Sequence, residues 1–146
     1  MRTIGLVAAL VLVSHAGLCS AAQFERAHEL GLSLGTPSAL NAEYSCELGN
    51  RALYVSGGYW GRLYGAQVGG STLRKGTSET HGSLNVIGGY FAGKETDTSE
   101  WKNWTYGGAE IFFKWRRFFA APGLCVGGGS FSNPQIVGRL GFTWKL

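Results

Sequence analysis

The 146-residue chain predicts an all-β fold, an eight-stranded antiparallel up-and-down transmembrane β-barrel, on three observations. Apolar and polar residues alternate with period two over most of its length. Only 15% of residues are charged, against about a quarter in an ordinary soluble domain. The aromatics, 8 Phe, 6 Tyr and 5 Trp, gather toward the ends of the alternating runs. A hydrophobic fraction of 45% with a net charge of +4 excludes intrinsic disorder, and 24 Gly with 3 Pro is too little for collagen.

The first segment reads as a cleaved signal peptide, residues 1–22: a basic start at Arg2, an apolar run from Ile4 to Val13, and small residues Ser20-Ala21-Ala22 before Gln23. The run is shorter than the roughly 20 residues a spanning helix needs. The expected mature domain is 23–146. Removing Arg2 leaves 12 of the 13 basic side chains against 9 acidic ones, a net +3 too mild and scattered to suggest nucleic acid. Of the 3 cysteines, Cys19 leaves with the signal. The alternation sets Cys46 and Cys125 on non-neighbouring strands and opposite faces, so both are expected to be free.

Turn signals divide the mature chain into strands at about 27–35, 40–48, 51–59, 63–73, 82–91, 104–114, 118–128 and 135–146. The first carries Gly31-Leu32-Ser33-Leu34-Gly35, the second sets Leu40, Ala42, Tyr44 and Cys46 against Asn41, Glu43 and Glu47. The fourth opposes Tyr64, Ala66 and Val68 to Gly65, Gln67 and Gly69, and the fifth opposes Leu84, Val86 and Tyr90 to Ser83 and Asn85. The sixth sets Ala109, Ile111, Phe113 and Trp115 against Glu110 and Lys114. The seventh contains Pro122, which cannot donate to a ladder. In the eighth, Ile136, Leu140, Phe142 and Trp144 oppose Gln135, Arg139, Thr143 and Lys145. Strands three and five share a faint repeat, Val55-Ser56-Gly57-Gly58-Tyr59-Trp60 and Val86-Ile87-Gly88-Gly89-Tyr90-Phe91. Short connections and no helical pattern give a meander.

Period two does not itself say which face lies inside. The polar face is too poor in charge for a water-facing surface. Its charges are of mixed sign, which suits ion pairing in a narrow lumen, and Glu43, Glu47, Gln67, Asn85, Glu110, Lys114 and Arg139 are expected to line it. Small residues Gly65, Gly69 and Ser71 are expected to make room for the charged side chains. Two aromatic belts complete the pattern: Tyr59, Trp60, Tyr64, Tyr90, Phe91, Trp104 and Tyr106 at one rim, Trp115, Phe118, Phe119 and Trp144 at the other.

With Gly31-Leu32-Ser33-Leu34-Gly35-Thr36-Pro37 followed by Asn41, and Ser56-Gly57-Gly58-Tyr59-Trp60-Gly61, the whole mature chain resembles small eight-stranded outer-membrane barrels of Gram-negative bacteria, such as OmpX or the membrane domain of OmpA. The last strand is similar to the signal read by the barrel-assembly machinery, although it ends in Leu146 where the family usually ends in Phe or Trp. The resemblance implies a bacterial outer-membrane location, contact with lipid and lipopolysaccharide, and the assembly machinery as a partner during biogenesis.

His81, Ser83 and Glu95 are of the types that form a hydrolase triad, and lipid A deacylases use a similar His-x-Ser pair with a later Glu. The strand order separates them: His81 and Ser83 fall at the periplasmic end, Glu95 in the outward 92–103 connection. No metal-ligand spacing or phosphate-binding glycine motif occurs, so no metal or cofactor is expected. Asn103-Trp104-Thr105 matches a glycosylation sequon by chance. The expectation is a structural or surface-interaction protein and not an enzyme, its lumen mostly plugged by polar side chains. The alternatives are a soluble periplasmic barrel around an apolar ligand, a narrow pore, and, most remote, a lipid A-modifying hydrolase.

Overall fold

The computed structural model describes residues 26–77, 79–94 and 100–146. The signal segment and Glu95 lie outside them. Eight strands follow in order: β1 (Arg26–Gly35), β2 (Ala39–Leu48), β3 (Arg51–Trp60), β4 (Leu63–Gly76), β5 (Thr80–Gly93), β6 (Lys102–Trp115), β7 (Phe118–Gly129) and β8 (Gln135–Lys145). Each pairs antiparallel with the next, and β1 pairs with β8 from Glu29↔Lys145 to Gly35↔Arg139, closing the barrel. Closure leaves no strand edge with unpaired backbone groups. Both ends of the described barrel lie at one end, the near rim, where β2, β4 and β6 also end. β1, β3, β5 and β7 end at the opposite end, the far rim.

The pleat sends alternate side chains through and away from the wall. Leu30, Leu32 and Leu34 of β1 point outward, while Glu29 and Ser33 at alternate positions are buried. In β8, Ile136, Leu140 and Phe142 point outward and Arg139 and Thr143 inward. The expected partition therefore places apolar side chains outside and polar ones inside.

Two irregularities change the expected boundaries. The 74–80 stretch, expected as a turn, is mostly strand: β4 runs to Gly76 and β5 starts at Thr80. A β-bulge shifts the β4–β5 register between Ser71 and Leu73, reversing which positions face inward, so the simple alternation ends there although the ladder continues through Arg74↔Ser83. At Pro122, which lacks an N–H, the β6–β7 ladder lapses between Glu110↔Gly123 and Phe113↔Ala120, while Pro122 keeps its place opposite Gly138 of β8.

The small interior residues serve tyrosines. A Cβ on Gly69 would lie 2.4 Å from the Tyr54 ring, and one on Gly89 2.6 Å from the Tyr106 ring. Gly65 lies against Pro37, and the Ser71 hydroxyl accepts from the Ala52 N–H at 2.6 Å. The expectation that Gly65, Gly69 and Ser71 accommodate charged side chains is thus corrected: it is aromatic bulk and backbone that crowd these sites.

Candidate functional site in the barrel interior

Arg139 stands at the centre of the interior. Its Nη1 donates to Glu43 Oε2 of β2 and its Nη2 to Glu110 Oε1 of β6, both at 2.7 Å, and its guanidinium lies 4.2 Å from the Tyr54 ring centroid. Glu110 Oε1 also accepts from Tyr54 Oη at 2.8 Å and Asn85 Nδ2 at 3.0 Å. Gln67 Nε2 donates to Tyr54 Oη at 2.6 Å, and Tyr106 Oη donates to Gln67 Oε1 at 2.7 Å. Ser33 donates to the other Glu43 oxygen. A buried ion in this setting costs several kcal/mol unless paired and hydrogen-bonded, and these contacts supply that pairing from six strands.

A second tier lies toward the near rim. Lys114 pairs with Glu29, and Arg74 Nη2 contacts Glu47 Oε1 at 2.7 Å and His81 Nδ1 at 3.2 Å. Arg74 faces inward only because the bulge has changed the parity of β4. A cavity of about 50 Å³ remains here, bounded by Glu29, Glu43, Glu47, Arg74, His81 and Lys114 among others. It holds little more than a water or two. Toward the far rim the interior turns apolar: Ile87, Trp104, Tyr106, Cys125 and Val137 form one buried cluster with Tyr54, and Phe91 and Phe131 close over it. Trp104 stacks on Tyr106 with ring centroids 4.6 Å apart.

The seven residues expected in the lumen all point into it. Glu43, Gln67, Asn85, Glu110 and Arg139 share one network, while Glu47 and Lys114 belong to separate ion pairs. Glu29, Tyr54, Arg74 and Tyr106 complete these contacts and were not expected there.

Four aromatics expected in the belts are placed otherwise. Trp104, Tyr106 and Phe119 are buried in the interior and Phe91 packs against the core cluster. Each shares the inward parity of a polar neighbour on its own strand or, for Phe119, of buried Ala121 and Cys125. The remaining belt positions face outward or toward the rims. Tyr59, Trp60 and Tyr90 are exposed at the far rim, where Tyr64 contacts Tyr90 and Trp101. Trp115, Phe118 and Trp144 are exposed at the near rim.

The hydrolase arrangement is not assembled among the described residues. Ser83 Oγ donates to Asn85 Oδ1 at 2.8 Å, and His81 Nδ1 faces Arg74. Glu95 lies outside the described residues. Among those residues no group of three or more His, Cys, Asp or Glu is placed to hold a metal ion. Cys125 is a free, buried thiol, whereas Cys46 is disulfide-bonded, which corrects the expectation that both are free.

No family model, curated protein or solved structure matches the chain. The fold assignment therefore rests on barrel closure and strand register alone.

Proposed function

We propose that the protein is an integral outer-membrane β-barrel with a structural or surface-interaction role, its interior a packed plug and not a reaction site. The observation that carries this reading is the inverted partition of side chains. Ile136 is 86% exposed, Leu140 65% and Leu34 62%, while Glu110 and Arg139 are buried at 1% and 2%. In water the outer face would leave an uninterrupted apolar surface far larger than monomeric proteins tolerate. In hydrocarbon the same face is solvated, and closure of the sheet leaves no open strand edge. Exposed aromatics at both rims fit the two interfaces. On this reading the outer face meets lipid and lipopolysaccharide, and the barrel-assembly machinery is the partner in biogenesis.

A soluble carrier would need an apolar interior with room for a ligand. Here the near half of the interior is charged, the apolar far half is filled by the Trp104 cluster, and the cavity of about 50 Å³ is far below the 300–1,000 Å³ of ligand sites. A pore would need a water path, and the Trp104 cluster and the Arg139 network occupy it. Fractionation of cells tests the reading. The protein should sediment with outer membranes and be released by detergent but not by high salt, and recovery from the soluble periplasm would overturn it.

A further inference from the structure

The near rim combines three features that the membrane reading leaves unused. The first is a two-residue turn, Arg116-Arg117, between β6 and β7, with both side chains exposed. The turn is fastened on both sides: the Arg116 N–H donates to Glu79 O at 2.6 Å, and Arg117 O accepts from the Thr143 N–H at 2.7 Å. The Arg116 guanidinium lies 5.8 Å from the Trp115 ring centroid, above the outer wall.

The second is an apolar groove of about 770 Å³ on the wall, lined by Leu32, Leu40, Phe113, Trp115, Phe118 and Phe142 among others. Trp115 and Phe118 flank the arginine turn directly, and Phe118 contacts Phe142 with centroids 4.6 Å apart. The groove therefore begins at the arginines.

The third is a sign bias. Arg51, Lys75 and Lys145 are also exposed at this rim, and among the described residues Glu79 is the one exposed acidic side chain there. Among the described residues the far rim carries Arg62, Lys94 and Lys102 against Glu100, a weaker excess than the five basic side chains against Glu79 at the near rim.

We propose that the near rim binds an anionic phospholipid, the phosphate held by Arg116 and Arg117 and the acyl chains lying in the adjoining groove. A guanidinium presents a planar fork that matches a phosphate oxygen pair. Charge selects the lipid class: a zwitterionic headgroup brings its own cation and gains little from a basic rim, whereas phosphatidylglycerol carries net negative charge. The two arginines are held by backbone bonds before any lipid arrives, which lowers the ordering cost of binding. This inference rests on the membrane reading above.

The test uses the full chain refolded into phosphatidylcholine vesicles, with brominated phosphatidylglycerol or brominated phosphatidylcholine titrated in as the quencher of tryptophan fluorescence. Trp115 and Trp144 are exposed at the near rim and report on it. Binding of phosphatidylglycerol is expected to be about thirtyfold tighter than that of phosphatidylcholine, given about 1 kcal/mol for each of the two arginines near a headgroup. The Arg116→Asn/Arg117→Gln variant should lose that preference, and a far-rim Lys94→Gln variant should keep it. Asn suits position 116 because Arg116 has φ 57°, a left-handed conformation that Asn adopts readily. Equal quenching by the two lipids in wild type, or a preference surviving in the double variant, would overturn the proposal and leave the membrane reading intact. Failure of the wild-type chain to enter vesicles of either lipid would overturn both.

Discussion

Arg139 Nη2 of β8 and Glu110 Oε1 of β6 lie 2.7 Å apart across the barrel interior, each side chain 1% exposed, with β7 between their strands. Glu43 holds the other arm of the same guanidinium at 2.7 Å. One cation thus answers two buried carboxylates. Truncating it leaves both uncompensated, which costs far more than the net worth of the pair. Arg139→Ala is expected to lower unfolding stability by about 3–5 kcal/mol, read as a shift of the urea midpoint of the micelle-folded barrel. Arg139→Lys should cost less, since it keeps the charge but cannot make the same fork. An Arg139→Ala barrel as stable as wild type would contradict the network.

Gly69 is fixed by the Tyr54 ring, 2.4 Å from where a Cβ would sit. A ring anchored by hydrogen bonds to Gln67 and Glu110 cannot swing aside cheaply. Gly69→Ala is therefore expected to destabilise by about 1–3 kcal/mol, as overpacking does. In a Tyr54→Leu background the same change should be nearly neutral, and a double-mutant cycle measures the difference.

Much of the barrel was legible because the pleat imposes a two-residue period wherever two faces differ. The alternation of β8, Ile136 to Trp144 against Gln135 to Thr143, gave both strand and faces. Parity also fixes the facing of residues near strand ends. Trp104 and Tyr106 share the even positions of Glu110 and Lys114, so their inward orientation was readable, but their place near a strand end suggested a belt. Arg74 was not readable in this way. The bulge at Ser71/Leu73 breaks the period, and a bulge leaves no alternation signal beyond its own interruption. Glu29 was missed in the short β1, and its value depends on Lys114, 85 positions away, a pairing set by closure alone.

The outer wall gives a third expectation. Val86 lies midway along β5 and is 58% exposed, between inward Asn85 and Ile87. Val86→Arg should reduce stability in bilayers by about 2–4 kcal/mol, the cost of a cation on the lipid face near the midplane. On a water-facing wall it would be close to neutral. Refolding into lipid vesicles under graded urea distinguishes the two.

Planar bilayers supply a fourth. With Trp104 stacked on Tyr106, Phe131 over both Trp104 and Phe91, and charged pairs filling the near half, wild-type protein should show no discrete conductance. Stable unitary steps would mean that the plug opens.

The most direct measurement of the central claim, a closed barrel embedded in the outer membrane with its apolar wall in lipid, is the electrophoretic mobility of the membrane-extracted protein with and without boiling in SDS. The closed ladder from β1 to β8 predicts a compact form that survives SDS unheated and migrates faster than the boiled chain. A single, heat-insensitive band at the unfolded position, or protein found only in the soluble fraction, would contradict it.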